Sequence, residues 1–208
     1  MEAGAFRSPV QRSLMTLPTK LSLLRILLTF LIMALLFAPG VVSKVTALIC
    51  FLLASFTDWL DGYLARRWQQ VSPLGALLDP IADKVLVLGL FLAFVQLGLI
   101  PAWMVLIIAF REFLITGVRL FASSRNIVLS AAKEGKHKTV SQMVTIVVIL
   151  GILIAQHLQG YASFSEEARA LMDWTILGCL WVTMLLTVIS GASFFWRHYA
   201  VLKDAVSH

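Results

Sequence analysis

The chain is short of charge. Only 13% of its 208 residues are Asp, Glu, Lys or Arg, while 60% are hydrophobic and the mean hydropathy is +0.90. An ordinary water-soluble domain of this length is excluded, because it would need far more polar surface. Cysteine is also scarce. Cys50 and Cys179 each sit inside an apolar run with no partner at metal-binding spacing, which excludes a disulfide framework and a thiolate metal site. No basic face is interleaved with aromatic residues, so no nucleic-acid partner is expected. Internal repeats and low-complexity linkers are absent too, and residues 1–208 read as one domain.

What the chain has is long apolar runs. Six candidate spans lie at 20–38, 44–67, 74–98, 101–124, 139–157 and 170–196, each close to the roughly 20 residues that cross a bilayer as a helix. The first could mimic a signal peptide. It lacks a small-residue cleavage site, and FAPG at 37–40 reads as a helix end, so the span is expected to be retained. The fold class is therefore an all-α integral membrane protein with six transmembrane helices. Residues 1–19 form a juxtamembrane segment before a six-helix bundle at 20–200. Phe6, Val10 and Leu14, with Arg7 and Arg12 between them, suit a short helix on the membrane surface. Ser165 reads as the N-cap of the last helix, with Glu166 and Glu167 in its first turn.

The few charges are unevenly placed. Arg7, Arg12, Lys20 and Arg25 precede or open span 1. Arg66 and Arg67 sit at the turn between spans 2 and 3. Arg119, Arg125, Lys133, Lys136 and Lys138 surround the loop between spans 4 and 5, and Arg197 and Lys203 follow span 6. The opposite loops hold only Lys44 and Arg169, beside Glu166, Glu167 and Asp173. The positive-inside rule then puts both termini in the cytoplasm.

Against this background the segment DWLDGYLARRWQQVSPLGALLDPIADK, residues 58–84, stands out. At about 100° per residue, Asp58, Asp61, Gly62 and Ala65 share one helix face, with Arg66 at its edge. After a turn at Val71-Ser72-Pro73, Gly75, Asp79 and Asp83 follow at four-residue steps. Two antiparallel helices joined by a short turn bring the four carboxylates together near the cytoplasmic surface. Each Asp costs up to about 2.5–3.5 kcal/mol in the bilayer interior, so four do not persist as filler. They stay ionised together only with cations between them. All-oxygen ligands suit Mg²⁺ or Mn²⁺, and the count fits two ions sharing bridging carboxylates. Two such ions point to phosphoryl chemistry. Gly62 and Ala65 give clearance for a bulky ligand, and Arg66 offers a fork for a phosphate.

The pattern D-x2-D-G-x2-A-R-x8-G-x3-D-x3-D, filled by Asp58, Asp61, Gly62, Ala65, Arg66, Gly75, Asp79 and Asp83, resembles the signature of the CDP-alcohol phosphotransferase family without deviation. The resemblance implies six transmembrane helices, a two-metal site, a CDP-linked substrate and a homodimer. It makes Asp58, Asp61, Asp79 and Asp83 metal ligands and Asp83 also the general base. Asp58, Gly62, Ala65, Arg66 and Gly75 would line the CDP site.

The signature leaves the acceptor open. Arg111 and Arg119 lie within about 80° of each other on span 4, and Lys136, Lys138 and Thr139 open span 5 in GKHKTVSQM. Facing one cavity, these cations suit a phosphomonoester. Arg111 and Glu112 are adjacent and point about 100° apart, so a direct pairing is not expected. The segments REFLITGVRLFA, GKHKTVSQM and LPTKLSLLRI resemble the bacterial branch of the family that uses sn-glycerol 3-phosphate, with Ser22 where Thr is usual. This resemblance covers roughly residues 17–145. It implies transfer from CDP-diacylglycerol to glycerol 3-phosphate at the cytoplasmic face of a bacterial cytoplasmic membrane, among membrane lipids. Other acceptors (inositol phosphate, phosphatidylglycerol or serine) are the nearest alternatives. A prenyltransferase and a divalent-cation carrier are more distant ones.

Overall fold

The computed structural model describes the backbone over residues 17–68, 73–124, 134–160 and 163–206, and side chains over 20–57, 81–123, 137–160 and 163–199. Six helices account for nearly all of it, and no strand occurs among the described residues. They are α1 (Leu17–Phe37), α2 (Val41–Trp68), α3 (Pro73–Gln96), α4 (Ala102–Ser124), α5 (Glu134–Gln159) and α6 (Glu166–Val206). The surface helix expected within 1–19 falls on residues outside the described ones up to position 16.

The helix boundaries follow local chemistry. Gly40 and Gly98 adopt φ of 92° and 73°, a left-handed conformation that other residues avoid, and each stands in a short turn between two helices. Ser165 caps α6 as expected: its Oγ accepts from the Ala168 N–H at 3.2 Å. Lys44 departs from expectation. It is a buried residue in the second turn of α2, not a loop charge, and its Nζ donates to the Leu36 and Ala38 carbonyls at 2.6 Å each. It thereby satisfies carbonyls that the end of α1 leaves without helical partners.

Two other spans are longer than expected. α5 starts at Glu134, so Lys136, Lys138 and Thr139 lie on a helix and not in a loop. α6 starts at Glu166 and runs for 41 residues to Val206, past the expected end at 196, because nothing in RHYAVLKDAV breaks a helix.

α3 is the central helix. It packs on α1, α4 and α5, while α5 and α4 both pack on α6, and α2 lies against α1 and α5. The core includes Ile32, Leu36, Phe51, Leu90, Phe91, Phe94, Met104, Ile108, Ile149 and Leu180. Around it the usual polarity of a folded chain is inverted. Leu27, Phe30, Phe56, Leu106, Phe110, Phe113 and Ile189 are exposed, whereas Arg25, Glu112, Lys138, Gln142, Thr183, Thr187 and His198 are buried. That arrangement is stable only where the surrounding solvent is hydrocarbon. Hydroxyls on these helices are satisfied by their own backbone: Thr29, Thr46 and Ser55 each donate to the carbonyl four residues earlier, at 2.8–2.9 Å.

Lys20–Phe37, His137–Gln159 and Glu166–Tyr199 are each long and apolar enough to cross a membrane, and Val41–Thr57 is a shorter apolar segment. α4 carries Arg111, Glu112 and Arg119 among its 23 residues, which dilutes its apolar character.

Candidate active site

Asp58, Asp61, Gly62, Ala65 and Arg66 occupy the last turns of α2, and Gly75 and Asp79 the first turns of α3. Helical backbone at both places is what the four-residue spacings require. The side chains of residues 58–80 lie outside the described residues, and with them the expected convergence of Asp58, Asp61 and Asp79. Among the described residues no three His, Cys, Asp or Glu form a metal-binding group. Asp83 is described, and it is half-buried on α3.

Beside Asp83 the structure assembles a charged cluster on a single carboxylate. Glu112 is 5% exposed. Its Oε2 accepts from Lys84 Nζ at 2.9 Å, and its Oε1 accepts from Lys138 Nζ and from Arg111 Nη1, the latter at 3.2 Å. Arg111 Nη2 continues to Ser190 Oγ on α6 at 2.7 Å. Arg119 also reaches α6, its guanidinium 5.4 Å from the centre of the Phe194 ring, within the range of a cation–π contact. Asp83 lies close enough for its charge to act on both Lys84 and Lys138. The charge of Arg119 reaches Lys84 and Arg111 as well, with the opposite sign.

Arg111 and Lys138, two of the cations read from sequence for one phosphate, therefore meet on Glu112, near Asp83; Arg119 is exposed, contacts Phe194, and reaches Arg111 and Lys84 only through its charge. Their surroundings differ from expectation. Lys138 is buried and already paired, and Arg111 does contact Glu112. Glu112 points into the bundle, and the long Arg111 side chain reaches across to it, so the 100° between adjacent positions does not keep them apart. Thr139 is half-buried on α5, and the Lys136 side chain lies outside the described residues.

Four further residues escaped the sequence reading. Lys84 and Glu112 were visible as charges inside apolar runs, but nothing showed that they meet. Ser190 and Phe194 belong to a stripe on α6 (Thr183, Thr187, Ser190, Gly191, Phe194 and His198) that recurs every three or four residues and is buried throughout. That period was the available signal. Gly191 is part of the fit, since a β-carbon there would stand 3.0 Å from Arg111 Cγ.

From this cluster an apolar groove of about 970 Å³ runs between α3 and α4. Lys84 lines it together with Leu88, Gly89, Leu92, Leu106 and Phe113.

Comparison with known proteins agrees with this architecture. The family model described as CDP-alcohol phosphatidyltransferase matches residues 15–189, well beyond position 145 and into the buried stripe of α6. The CDP-diacylglycerol–glycerol-3-phosphate 3-phosphatidyltransferase of Bacillus subtilis (strain 168) is 35% identical over 201 residues, covering 91% of this chain and 98% of the relative. Proteins of the same name from Cereibacter sphaeroides and Rickettsia typhi are 34% and 31% identical, covering 76% and 86% of this chain and 83% and 94% of their own lengths. With its signature intact on two consecutive helices and the match reaching over most of its length, the chain belongs to the CDP-alcohol phosphatidyltransferase family.

Proposed function

We propose that the chain transfers the phosphatidyl group of CDP-diacylglycerol to sn-glycerol 3-phosphate, giving phosphatidylglycerophosphate and CMP. The observation that carries this reading is the meeting of Arg111 and Lys138 on Glu112 near Asp83, with the charge of Arg119 acting on Arg111. It supports a phosphate-binding role for these cations next to the residue that would deprotonate the acceptor. Near-full-length relatives bearing that enzyme's name support it.

Asp83 accepts the proton of the acceptor's primary hydroxyl. The oxygen attacks the phosphorus that bears the diacylglycerol, the bond from that phosphorus to the bridging oxygen breaks, and CMP leaves. Arg111, Arg119, Lys136, Lys138 and Thr139 hold the acceptor phosphate. Asp58, Gly62, Ala65, Arg66 and Gly75 receive the CDP moiety, with small residues where the nucleotide lies against the helix. Asp58, Asp61, Asp79 and Asp83 would hold divalent cations, and their all-oxygen donor set fits two Mg²⁺ or Mn²⁺. When bound, such cations offset the charge of the carboxylates and of the diphosphate. The acyl chains lie in the apolar groove that begins at Lys84.

All six helices span the membrane in this reading, as one domain. The termini and the site face the cytoplasm of a bacterial cell, and the working unit is a homodimer. Lys20, Arg25 and Arg197, on the same side of the bundle as the cluster, agree with that orientation.

The purified protein in detergent, with Mg²⁺ or Mn²⁺, is expected to release CMP from CDP-diacylglycerol only when glycerol 3-phosphate is added. Equal release with inositol phosphate, phosphatidylglycerol or serine would overturn the acceptor assignment.

A further inference from the structure

We infer that Glu112 is a positioning residue that assembles the acceptor-phosphate site, and that Lys84 is a phosphate-binding member of that site. Both statements rest on the reading above that the acceptor carries a phosphate.

Four helices converge on the Glu112 carboxylate. Lys84 reaches it from α3 and Lys138 from α5, while Arg111 reaches it from α4 and ties in α6 through Ser190. An ion pair that merely joined two helices would need one cation. Here three cations face one carboxylate, and even with the charge of nearby Asp83 counted, positive charge is left over among groups shielded from water. Side-chain exposure is 17% for Lys84, 12% for Arg111 and 9% for Lys138. An uncompensated charge in such a place is costly, so the surplus favours a bound anion. A phosphomonoester matches it in sign.

Donor geometry points the same way. Lys84 uses one ammonium hydrogen on Glu112 Oε2, which leaves two more, and it lines the groove between α3 and α4. Arg111 Nε is buried without a hydrogen-bond partner among the described residues. Lys84 also follows Asp83 directly in the chain. The Asp83 charge acts on both Lys84 and Lys138, so a phosphate held there would sit in the neighbourhood of the base. Without Glu112 the three cations would repel one another and spread apart. With it they are held ready at one point before the ligand arrives, so the cost of ordering them is met in folding.

The test is a comparison of Michaelis constants in the purified, detergent-solubilised enzyme. Glu112→Gln preserves shape and removes the charge. It is expected to raise KM for glycerol 3-phosphate at least tenfold while KM for CDP-diacylglycerol stays within twofold, and Glu112→Asp should fall between it and the parent. Inorganic phosphate, as a competitive inhibitor against glycerol 3-phosphate, should weaken in parallel. A purely structural staple predicts a lower active fraction or melting temperature with both KM values unchanged, and that result would overturn the inference. So would an equal rise in both KM values.

Should Glu112→Gln fail to fold, Lys84→Gln decides. It leaves Glu112 paired with Lys138 and Arg111, and it should raise the acceptor KM and weaken inorganic phosphate alone; an unchanged acceptor KM refutes the role of Lys84. Should the parent enzyme prefer another phosphorylated acceptor, the acceptor assignment falls, while the Glu112→Gln effect persists on that acceptor's KM. Should it prefer an acceptor with no phosphate, both readings fall.

Discussion

At the scale of single residues, the proposed mechanism divides the chemistry between Asp83 and the cations around Glu112. In this mechanism Asp83 contributes a proton-accepting oxygen, and the amide in Asp83→Asn keeps its shape while losing basicity. Turnover is expected to fall by at least a thousandfold, with CDP-diacylglycerol binding still measurable by equilibrium titration; near-normal turnover would remove Asp83 from the reaction. Arg111→Ala and Lys138→Ala delete phosphate donors, so each is expected to raise the acceptor KM about tenfold or more with little change in the donor KM. That corresponds to roughly 1.4 kcal/mol or more, in the range of a lost charge-assisted hydrogen bond. A larger rise in the donor KM would move these residues to the nucleotide. Removing Lys138 also leaves Glu112 with one partner fewer, so its melting temperature should fall further than that of a variant at exposed Arg119.

Elements show why some of this was legible in sequence and some was not. All six helices were readable from apolar runs, and the turn at Gly40 from FAPG, because length and backbone conformation are local properties. The aspartate signature was readable because helical periodicity converts spacing into a face. Meetings between distant elements were not. Lys84 and Glu112 are 28 positions apart, Arg111 and Ser190 are 79 apart, and no spacing rule links such pairs. The buried stripe on α6 carries a periodic signal, but four of its six residues are hydroxyls and a glycine, which in an apolar helix read equally well as packing.

Two predictions belong to this scale. Gly191→Leu would drive a side chain into Arg111 Cγ, so activity should fall, with the acceptor KM rising before the donor KM does. Lys44→Met should lower the melting temperature and leave both KM values alone. Lys44 closes the end of α1 far from the reacting groups, and losing its two bonds to carbonyls costs about 1–3 kcal/mol.

Over the whole molecule, polar groups are gathered inside and apolar ones turned outward, which suits a reaction between a lipid and a water-soluble acceptor. The buried ion cluster also bears on how such a chain is held in a bilayer. α4 alone would bring Arg111, Glu112 and Arg119 into hydrocarbon at once, with each central charge costing about 2.5–3.5 kcal/mol. α3 precedes it through a turn of only a few residues, and Lys84 on α3 meets Glu112 on α4. Within a hairpin of α3 and α4, one positive and one negative charge neutralise each other without any contribution from α5. Lys138 adds to a carboxylate that Lys84 already pairs. The contact proposed to organise the site is thus also one that lowers the cost of holding the charges of α4 within a membrane.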